Sequence, residues 1–343
     1  MTTGLRVMMR ADAGARIGLG HLCRSTALAQ ALRRWGADVR FLLWSDHAAS
    51  ARLERVGGTV VPLRSRTDVT ELVSWITRQE AHVVVVDTDA LEGEQLSALR
   101  ETGAFVAAID DTADRTLPVD LIINGSVGAE RLPYRTQDAT VRLLGPSYAL
   151  LREGFATLPA RVMADRIRRL LITTGGSDFH RVMPRLVRWA RAALPEAHLE
   201  IVIGPLIAAR DAVEQEARTA GRATIHDDPW DLRDLMLGAD LALSGGGQTT
   251  YELVATGTPA VAIRMAPNQT VTLAGLAAAG ALRRIGDAQD ARLQERLLSE
   301  LRALDRDAAA RQAMSERGRA LVDGRGAERV AERLMDAALL VRR

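Results

Sequence analysis

The stretch from Leu241 to Ile263 constrains the fold more than any other part of the chain. It begins with a short apolar run, continues through three successive glycines and then shows a helix pattern that stops at Gly257. This order is typical of a buried parallel strand that turns sharply into a helix. Glycines at such a turn let a ligand approach the backbone, and the N–H groups at a helix start attract anions. Two interpretations stay open here, a phosphate site and an ordinary strand–helix turn.

Short apolar runs alternate with helix patterns along the whole chain. In the first half, strands are predicted at Leu5–Met9, Val39–Trp44, Val60–Leu63, His82–Val86, Phe105–Ile109 and Leu121–Ile123. In the second half, they are predicted at Leu170–Thr173, Leu199–Ile203, Thr224–His226, Leu241–Leu243 and Val261–Ile263. Strands separated by helices form parallel, doubly wound sheets, so the expected fold class is α/β.

The helix patterns and one break divide the chain into domains. Helices are predicted at Leu22–Trp35, Ala48–Val56, Met183–Ala193, Ile207–Ala220, Asp231–Leu237, Val271–Ala279, Leu293–Val322 and Ala327–Leu340. The alternation breaks at Leu158–Asp165, where we place a linker. We therefore expect an N-terminal domain at 1–157, a C-terminal domain at 166–325 and a last helix at 326–343 that packs back across the linker. A length of 343 residues suits two such domains.

The composition excludes several classes of protein. The 45 basic residues, all of them arginine, nearly balance 43 acidic ones and are dispersed, which argues against a nucleic-acid partner. No apolar run approaches the roughly 18 residues that span a membrane, and no signal-peptide pattern is present. Cys23 is the only cysteine, so no intrachain disulfide can form. We expect a cytoplasmic protein, and the sequence does not predict its oligomeric state.

A second glycine-containing turn lies near the N-terminus. Arg10-Ala11-Asp12 ends the first predicted strand, and Ile17-Gly18-Leu19-Gly20-His21 begins the first helix. The positive end of a helix dipole favours the neutral imidazole of His21, which can accept a proton. Arg24 lies on the same helical face and is suited to hold an anionic or hydroxylated group. Because a histidine beside glycines is often only a hydrogen-bonded turn residue, both roles for His21 stay open.

Other kinds of active site find little support in the sequence. The remaining histidines form no HxH or HxxxH pair: His47, His82, His180, His198 and His226. Ser177 lacks a GxSxG motif, and no GxGxxG or GKS/GKT follows a predicted strand. Asp110–Asp111 and His226–Asp228 allow metal contacts, although capping or a solvated loop is the commoner role of such residues. We expect neither a metal nor a cofactor.

An ordered series of motifs extends over nearly the whole chain: Arg10–Asp12 with Ile17–Arg24, Ile109–Asp111 with Arg115, Leu144–Arg152, Thr174–Asp178, Ser244–Glu252, Asn268–Gln269 and Gly324–Val330. Taken in order, these motifs resemble the PseG/SpsG family, the UDP-sugar hydrolases of pseudaminic acid biosynthesis. The family resembles glycosyltransferases of the GT-B type, which implies two Rossmann-like domains that face a central cleft. It also implies hydrolysis of UDP-2,4-diacetamido-2,4,6-trideoxy-β-L-altropyranose to UDP and the free sugar, with inversion at the anomeric carbon.

The resemblance implies a role for particular residues. His21 would be the general base that activates water, Glu252 would bind the ribose, and Asn268 and Gln269 would contact the sugar. The diphosphate would be held by Gly175, Gly176, Ser177, Gly246, Gly247, Gln248 and Thr249. The other residues expected to bind the substrate are Arg10, Asp12, Gly18, Gly20, Arg24 and Asp89.

Two segments depart from the family pattern. Asp87-Thr88-Asp89 stands where the family usually has Asp-His-Tyr, and Asn124-Gly125-Ser126 stands where it often has Asp-Gln-Asn. A carboxylate therefore replaces an aromatic ring at position 89, which leaves the identity of the sugar and of the acceptor open. A glycosyltransferase that moves the sugar to a small-molecule acceptor is the main alternative. An inactive nucleotide-sugar binding protein is a third.

Overall fold

The computed structural model describes residues 4–14, 17–45 and 47–341. The chain forms two compact units: unit 1 comprises Met1–Glu153 and Gly324–Arg343, and unit 2 comprises Gly154–Asp323. The predicted linker at Leu158–Asp165 belongs to unit 2. Two of its backbone carbonyls, those of Leu158 and Pro159, accept hydrogen bonds from Arg319 of the same unit.

Unit 1 contains a parallel sheet of seven strands in the order β3-β2-β1-β4-β5-β6-β7. Its strands are β1 Arg6–Ala13, β2 Asp38–Ser45, β3 Thr59–Pro62, β4 Val83–Asp87, β5 Phe105–Ile109, β6 Leu121–Asn124 and β7 Val141–Leu144. The valine run of β4 is buried on both faces, as its continuous apolar sequence predicts. β1 is longer than predicted and includes Arg10 and Asp12, because it pairs with β2 as far as Ala13. The buried side chains of Arg10 and Asp12 bind each other.

The helices that connect strands β1 to β5 pack against this sheet. They are α1 Gly20–Arg34, α2 His47–Glu54, α3 Val69–Arg78 and α4 Gly93–Arg100. A short polar residue sets the start of α3: the Asp68 side chain accepts from the backbone N–H groups of Thr70 and Glu71 and thereby caps the helix. Leu72 and Ile76 of α3 are buried in the core on one face of the sheet.

Unit 2 contains a parallel sheet of six strands in the order β10-β9-β8-β11-β12-β13. Its strands are β8 Arg169–Thr173, β9 His198–Ile203, β10 Ala223–Asp227, β11 Leu241–Gly245, β12 Ala260–Arg264 and β13 Arg283–Asp287. Strands β7 and β13 were not predicted. Both are edge strands with exposed residues, so neither shows the apolar run of a buried strand.

The helices of unit 2 are α5 Met183–Ala193, α6 Arg210–Ala220, α7 Arg233–Gly238, α8 Thr249–Thr256, α9 Thr270–Ala278, α10 Leu293–Arg306 and α11 Ala308–Leu321. The prediction of one helix over Leu293–Val322 is wrong. Asp307 leaves the helical conformation between α10 and α11, and its side chain accepts a hydrogen bond from the backbone N–H of Ala310. This cap starts a new helix at a point where the apolar periodicity alone gives no sign of a break.

The last helix, α12 Gly326–Val341, returns to unit 1 and packs against α1. A glycine is required at its start, because a Cβ on Gly326 would lie 2.2 Å from the carbonyl oxygen of Ala149. Residues 342–343 of the predicted last helix lie outside the described part of the chain. No helix in that described part is long and apolar enough to cross a membrane.

In both sheets, the order of the strands reverses at the strand that comes first in the chain. In unit 1 the chain order reverses between β1 and β4, and in unit 2 it reverses between β8 and β11. Ligands of doubly wound sheets bind beyond the carboxyl ends of the strands at such a reversal. Each unit therefore has one place where a ligand site is expected.

Candidate functional site

In unit 1, His21 and Asp87 lie together at the reversal of strand order. His21 stands in the first turn of α1, and Asp87 is the last residue of β4, the neighbour of β1. His21 Nδ1 lies 2.5 Å from Asp87 Oδ1. Because a carboxylate oxygen accepts, Nδ1 carries the hydrogen and donates it. Nε2 of the neutral imidazole then retains its lone pair and can accept a proton.

The Asp87 carboxylate is held by two further side chains. Arg24 donates from Nε to Oδ2 at 2.9 Å and from Nη2 to Oδ1 at 2.6 Å, and Ser25 Oγ donates to Oδ2 at 3.0 Å. Asp87 is 0 % exposed. Burial acts to raise the pKa of Asp87, but the Arg24 guanidinium and His21 outweigh it and hold that pKa well below its ordinary value. Asp87 therefore stays ionised and orients the imidazole.

Arg24 is itself bound on a second side. Its Nη1 donates to both oxygens of Asp111, at 2.9 and 2.7 Å. Burial acts to lower the pKa of Arg24, but Asp111 and Asp87 outweigh it and hold the pKa above its ordinary value. The structure thus places Arg24 between two carboxylates, whereas the sequence predicted contact with an anionic or hydroxylated group.

Arg10 and Asp12 are brought together beside this group, with both side chains fully buried. Arg10 Nη1 donates to Asp12 Oδ1 at 2.5 Å, and Asp12 Oδ2 accepts from Arg66 Nε at 2.8 Å. Gly18, with φ of 86°, forms an isolated bridge with Gly14 ahead of α1. This backbone turn, which a glycine adopts without strain, leads the chain from β1 to the His21 position.

Asp87, Asp111 and Arg66 belong to this site but were not among the predicted site residues, although Asp111 was considered as a metal ligand. Asp87 is the last residue of the buried strand β4, whereas Asp111 comes shortly after β5 and Arg66 comes shortly after β3. The available signal was their position close to the ends of predicted strands, because the carboxyl ends of parallel strands meet at one edge of the sheet. The order of the strands, which decides which ends are neighbours, was not visible in the sequence.

In unit 2, the loop after β8 is fixed by the loop after β9. Gly175 adopts a φ of 86°, and the Leu206 backbone N–H donates to the Gly176 carbonyl at 3.0 Å. A Cβ on Gly204 would lie 2.3 Å from the Gly175 carbonyl oxygen. Gly204, which was not among the predicted site residues, therefore lets the two loops pack closely.

The start of α8 adjoins this loop, since a Cβ on Gly175 would lie 3.9 Å from Thr249 Oγ1. The two groups of residues predicted to hold a diphosphate are thus neighbours in space. Among the residues that the structure describes, no side chain caps the start of α8. Glu252, in the first turn of α8, is 8 % exposed. Backbone carbonyls already use two N–H groups of this turn, since Thr250 donates to Gly247 and Tyr251 donates to Gln248. The positive end of the helix dipole beside the glycines still favours an anion.

Gln269 is anchored next to Gly246 and Gly247. Its Oε1 accepts from the backbone N–H groups of Met265, at 2.8 Å, and Ala266, at 3.3 Å. Two donors fix the oxygen, and no residue in the described part of the chain accepts from the amide nitrogen. Nε2 lies 3.8 Å from the position of a Cβ on Gly247. Asn268, the other residue predicted to contact a sugar, is exposed.

Asp110 and His226, from the two segments for which the sequence allowed metal contacts, bind other residues of the protein. Asp110 Oδ1 accepts from the backbone N–H groups of Thr112 and Ala113 and thus caps a turn. His226 lies in β10, not in a solvated loop, and its Nε2 is 2.7 Å from Glu200 Oε2. Among the residues that the structure describes, no group of three or more His, Cys, Asp or Glu side chains is arranged to hold a metal ion.

Comparisons with known proteins identify distant relatives. No protein-family model matches the chain. The chain is 24% identical over 337 residues to the spore coat polysaccharide biosynthesis protein SpsG of Bacillus subtilis, covering 97% of this chain and 98% of that protein. It is 21% identical over 271 residues to the uncharacterized protein MJ1062 of Methanocaldococcus jannaschii, covering 76% of this chain. The chain spans about half the length of MJ1062, 55% of it.

Solved structures share the fold over the whole chain. MurG of Acinetobacter baumannii superposes with a TM-score of 0.68 at 17% identity, covering 97% of this chain and 99% of MurG. The S. aureus MnaA–UDP co-structure has a TM-score of 0.68 at 14% identity, covering 99% and 98%. Glycosyltransferase SsfS6 of Streptomyces sp. SF2575, complexed with thymidine diphosphate, has a TM-score of 0.63 at 14% identity. The match covers 97% of this chain and 99% of SsfS6. The predicted GT-B-like fold is confirmed.

Proposed function

We propose that the chain is an enzyme that acts on a nucleotide diphosphate sugar. In this proposal unit 2 binds the nucleotide, with the diphosphate at the loop Gly175–Ser177 and at the start of α8. Two observations support it: the uncapped start of α8 beside the glycine loop, and neighbours of the same fold whose structures hold UDP or thymidine diphosphate. Glu252, in the first turn of α8, is the proposed ribose ligand.

The reaction that we infer is hydrolysis with inversion, and the His21–Asp87 pair is the observation that carries it. His21 Nε2 takes a proton from water while the water oxygen bonds to the anomeric carbon. The bond between that carbon and the phosphate oxygen breaks, and its electron pair leaves with the nucleoside diphosphate. A single displacement inverts the anomeric centre. Asp87 keeps Nδ1 protonated and stabilises the imidazolium that forms.

The charge on the leaving diphosphate is the second chemical demand of this reaction. In this proposal, backbone N–H groups of the glycine loop and the positive end of α8 stabilise that charge without a divalent metal. Gln269 Nε2 is a further donor beside Gly247. Activity that is unchanged by a chelator is therefore expected.

The substrate that we propose is UDP-2,4-diacetamido-2,4,6-trideoxy-β-L-altropyranose. The ordered motifs support this choice, as does the similarity to SpsG along nearly the full length of both chains. The departure at position 89, where Asp89 replaces an aromatic residue of the family pattern, concerns the sugar and not the nucleotide.

A glycosyltransferase is the second candidate. Two comparisons favour it. Glycosyltransferase SsfS6 has the same fold, and the relative SpsG is named as a polysaccharide biosynthesis protein. In that case an acceptor hydroxyl or amine takes the place of water, and His21 removes its proton instead.

Measurement of nucleotide release with and without acceptors separates these proposals. The purified chain is incubated with the nucleotide sugar, and UDP release is followed in wild type and in His21→Ala. Release without an acceptor, at a rate that candidate acceptors do not increase, supports the hydrolase. Release that requires an acceptor supports the transferase, and tight UDP binding without any turnover indicates an inactive binding protein.

A further inference from the structure

A cluster of charged side chains lies directly beside the His21–Asp87 pair in unit 1. Thr88, the residue after Asp87, donates from its hydroxyl to the buried carboxylate of Asp12. The same carboxylate binds Arg10 and Arg66, and Arg66 also binds Asp89. The cluster therefore extends from the proposed base toward the surface at the carboxyl ends of β1, β3 and β4.

The Arg66 side chain is fixed from several directions. Its Nε donates to Asp12 Oδ2 at 2.8 Å, and its guanidinium carbon lies 5.8 Å from the ring centroid of Trp44. Its own carbonyl accepts from Arg10 Nη2 at 2.9 Å. A buried carboxylate and an aromatic face thus hold this guanidinium in place before any ligand arrives.

Part of the hydrogen-bonding capacity of Arg66 and Asp89 is unused. Nη1 of Arg66 donates to none of the residues that the structure describes, and the side chain is 32% exposed. Asp89 is bound through Oδ1, and its side chain is 75% exposed. An N–H donor and a carboxylate acceptor therefore stand side by side at the surface.

The charge of the cluster selects among the ligands that this pair can bind. Two guanidinium groups, on Arg10 and Arg66, balance two carboxylates, on Asp12 and Asp89. A ligand carboxylate would meet the exposed charge of Asp89, and like charges in contact repel. A hydroxyl or an amide has both a donor and an acceptor and matches the pair without adding charge.

We propose that Arg66 and Asp89 determine sugar specificity by binding hydroxyl or amide groups of the sugar and selecting neutral sugars against acidic ones. This inference rests on the proposed function, in which a nucleotide sugar is the substrate. It assigns Arg66 as the donor to the sugar and Asp89 as the acceptor. It also gives the departure at position 89 a chemical meaning, since a polar pair here takes over from an aromatic ring.

Calorimetric titration tests the proposal with UDP, with UDP-N-acetylglucosamine and with two matched pairs. The pairs are UDP-glucose with UDP-glucuronate and UDP-galactose with UDP-galacturonate, which differ only by a carboxylate at carbon 6. In wild type, at least one neutral sugar nucleotide binds more tightly than UDP and more tightly than its acidic partner. Arg66→Gln raises the Kd of that compound about 10-fold and leaves the Kd of UDP within about twofold. In Asp89→Asn, the Kd values of the neutral and the acidic compound of the matched pair lie closer together than in wild type.

The control is Arg64→Gln, the same change at an exposed arginine of the same loop outside the cluster, which leaves every Kd unchanged. Thermal unfolding of each variant guards against misfolding, and Asp89→Asn provides a milder test because Asp89 touches only the surface side of the cluster. The proposal is overturned if Arg66→Gln and Arg64→Gln behave alike, or if the acidic partners bind as tightly as the neutral ones. Failure of wild type to bind UDP would instead overturn the proposed function, and this inference with it.

Discussion

His21 Nδ1 and Asp87 Oδ1 lie 2.5 Å apart although the two residues are separated by 66 positions in the chain. The contact exists because β4 pairs with β1 in the sheet of unit 1, so that the end of β4 meets the start of α1. Arg24, one turn further along α1, donates to both oxygens of the same carboxylate. A histidine oriented in this way by an ionised aspartate has the arrangement of a general base.

Replacement of the proposed base is expected to separate catalysis from binding. His21→Ala should lower turnover about 10²–10⁴-fold, because no other group then accepts the proton of the nucleophile. The Kd of UDP should stay close to wild type, since the proposed nucleotide site lies in unit 2. Steady-state kinetics and calorimetry measure the two quantities. A retained rate would remove His21 from the mechanism.

The Asp87 contact is expected to control the tautomer of His21. In Asp87→Asn the amide can donate to Nδ1, which moves the imidazole hydrogen to Nε2 and removes the lone pair that acts as base. We expect turnover about 10²–10⁴-fold lower, with the Kd of UDP unchanged. Asp111→Asn is the matched control, since it alters Arg24 and leaves the His21 contact in place. Equal losses in the two variants would contradict a role for the tautomer.

The lowered pKa of Asp87 predicts a pH dependence of stability. Burial acts to raise this pKa, but Arg24 and His21 hold it well below its ordinary value. The folded state therefore gains stability from ionised Asp87 above about pH 4, and this gain is lost as the pH falls below that value. Urea unfolding from pH 7 downward should show a steeper loss for wild type than for Asp87→Asn. Parallel curves would show that Asp87 contributes nothing to the acid sensitivity.

Gly204 is expected to be essential for the glycine loop of unit 2. In Gly204→Ala the new Cβ would lie 2.3 Å from the Gly175 carbonyl, so the loop that carries Gly175–Ser177 must shift. We expect a lower melting temperature and a UDP affinity reduced at least about 10-fold. Gly238→Ala is the control, because a Cβ there meets nothing within 4 Å. Unchanged UDP affinity in Gly204→Ala would argue against a diphosphate at this loop.

Glu252→Ala tests the proposed ribose contact. Because a ribose contact contributes equally before and during the reaction, its loss should mainly raise KM and leave kcat close to wild type. Glu252 is only 8 % exposed, so the melting temperature is measured alongside the kinetics. An unchanged KM in a stable variant would remove Glu252 from the ribose site.

Much of the fold was predictable because the signals are local. The valine run of β4, the glycines after β11 and the length of α5 each follow from a few consecutive residues. The edge strands β7 and β13 and the break at Asp307 were missed. Exposed edge strands lack an apolar pattern, and a single capping side chain interrupts a helix without interrupting its periodicity.

The sequence by itself determined that this chain forms parallel α/β sheets, and it marked His21 and the glycine loops as places where a ligand can bind. Only the tertiary structure decided which side chains surround His21. It placed Asp87, Arg24 and Asp111 in one network and paired Arg66 with both Asp12 and Asp89. The physical reason is that helix and strand periodicity is encoded in neighbouring residues, whereas the order of strands in a sheet is fixed by packing between distant ones. Contacts between the carboxyl ends of neighbouring strands follow from that order alone.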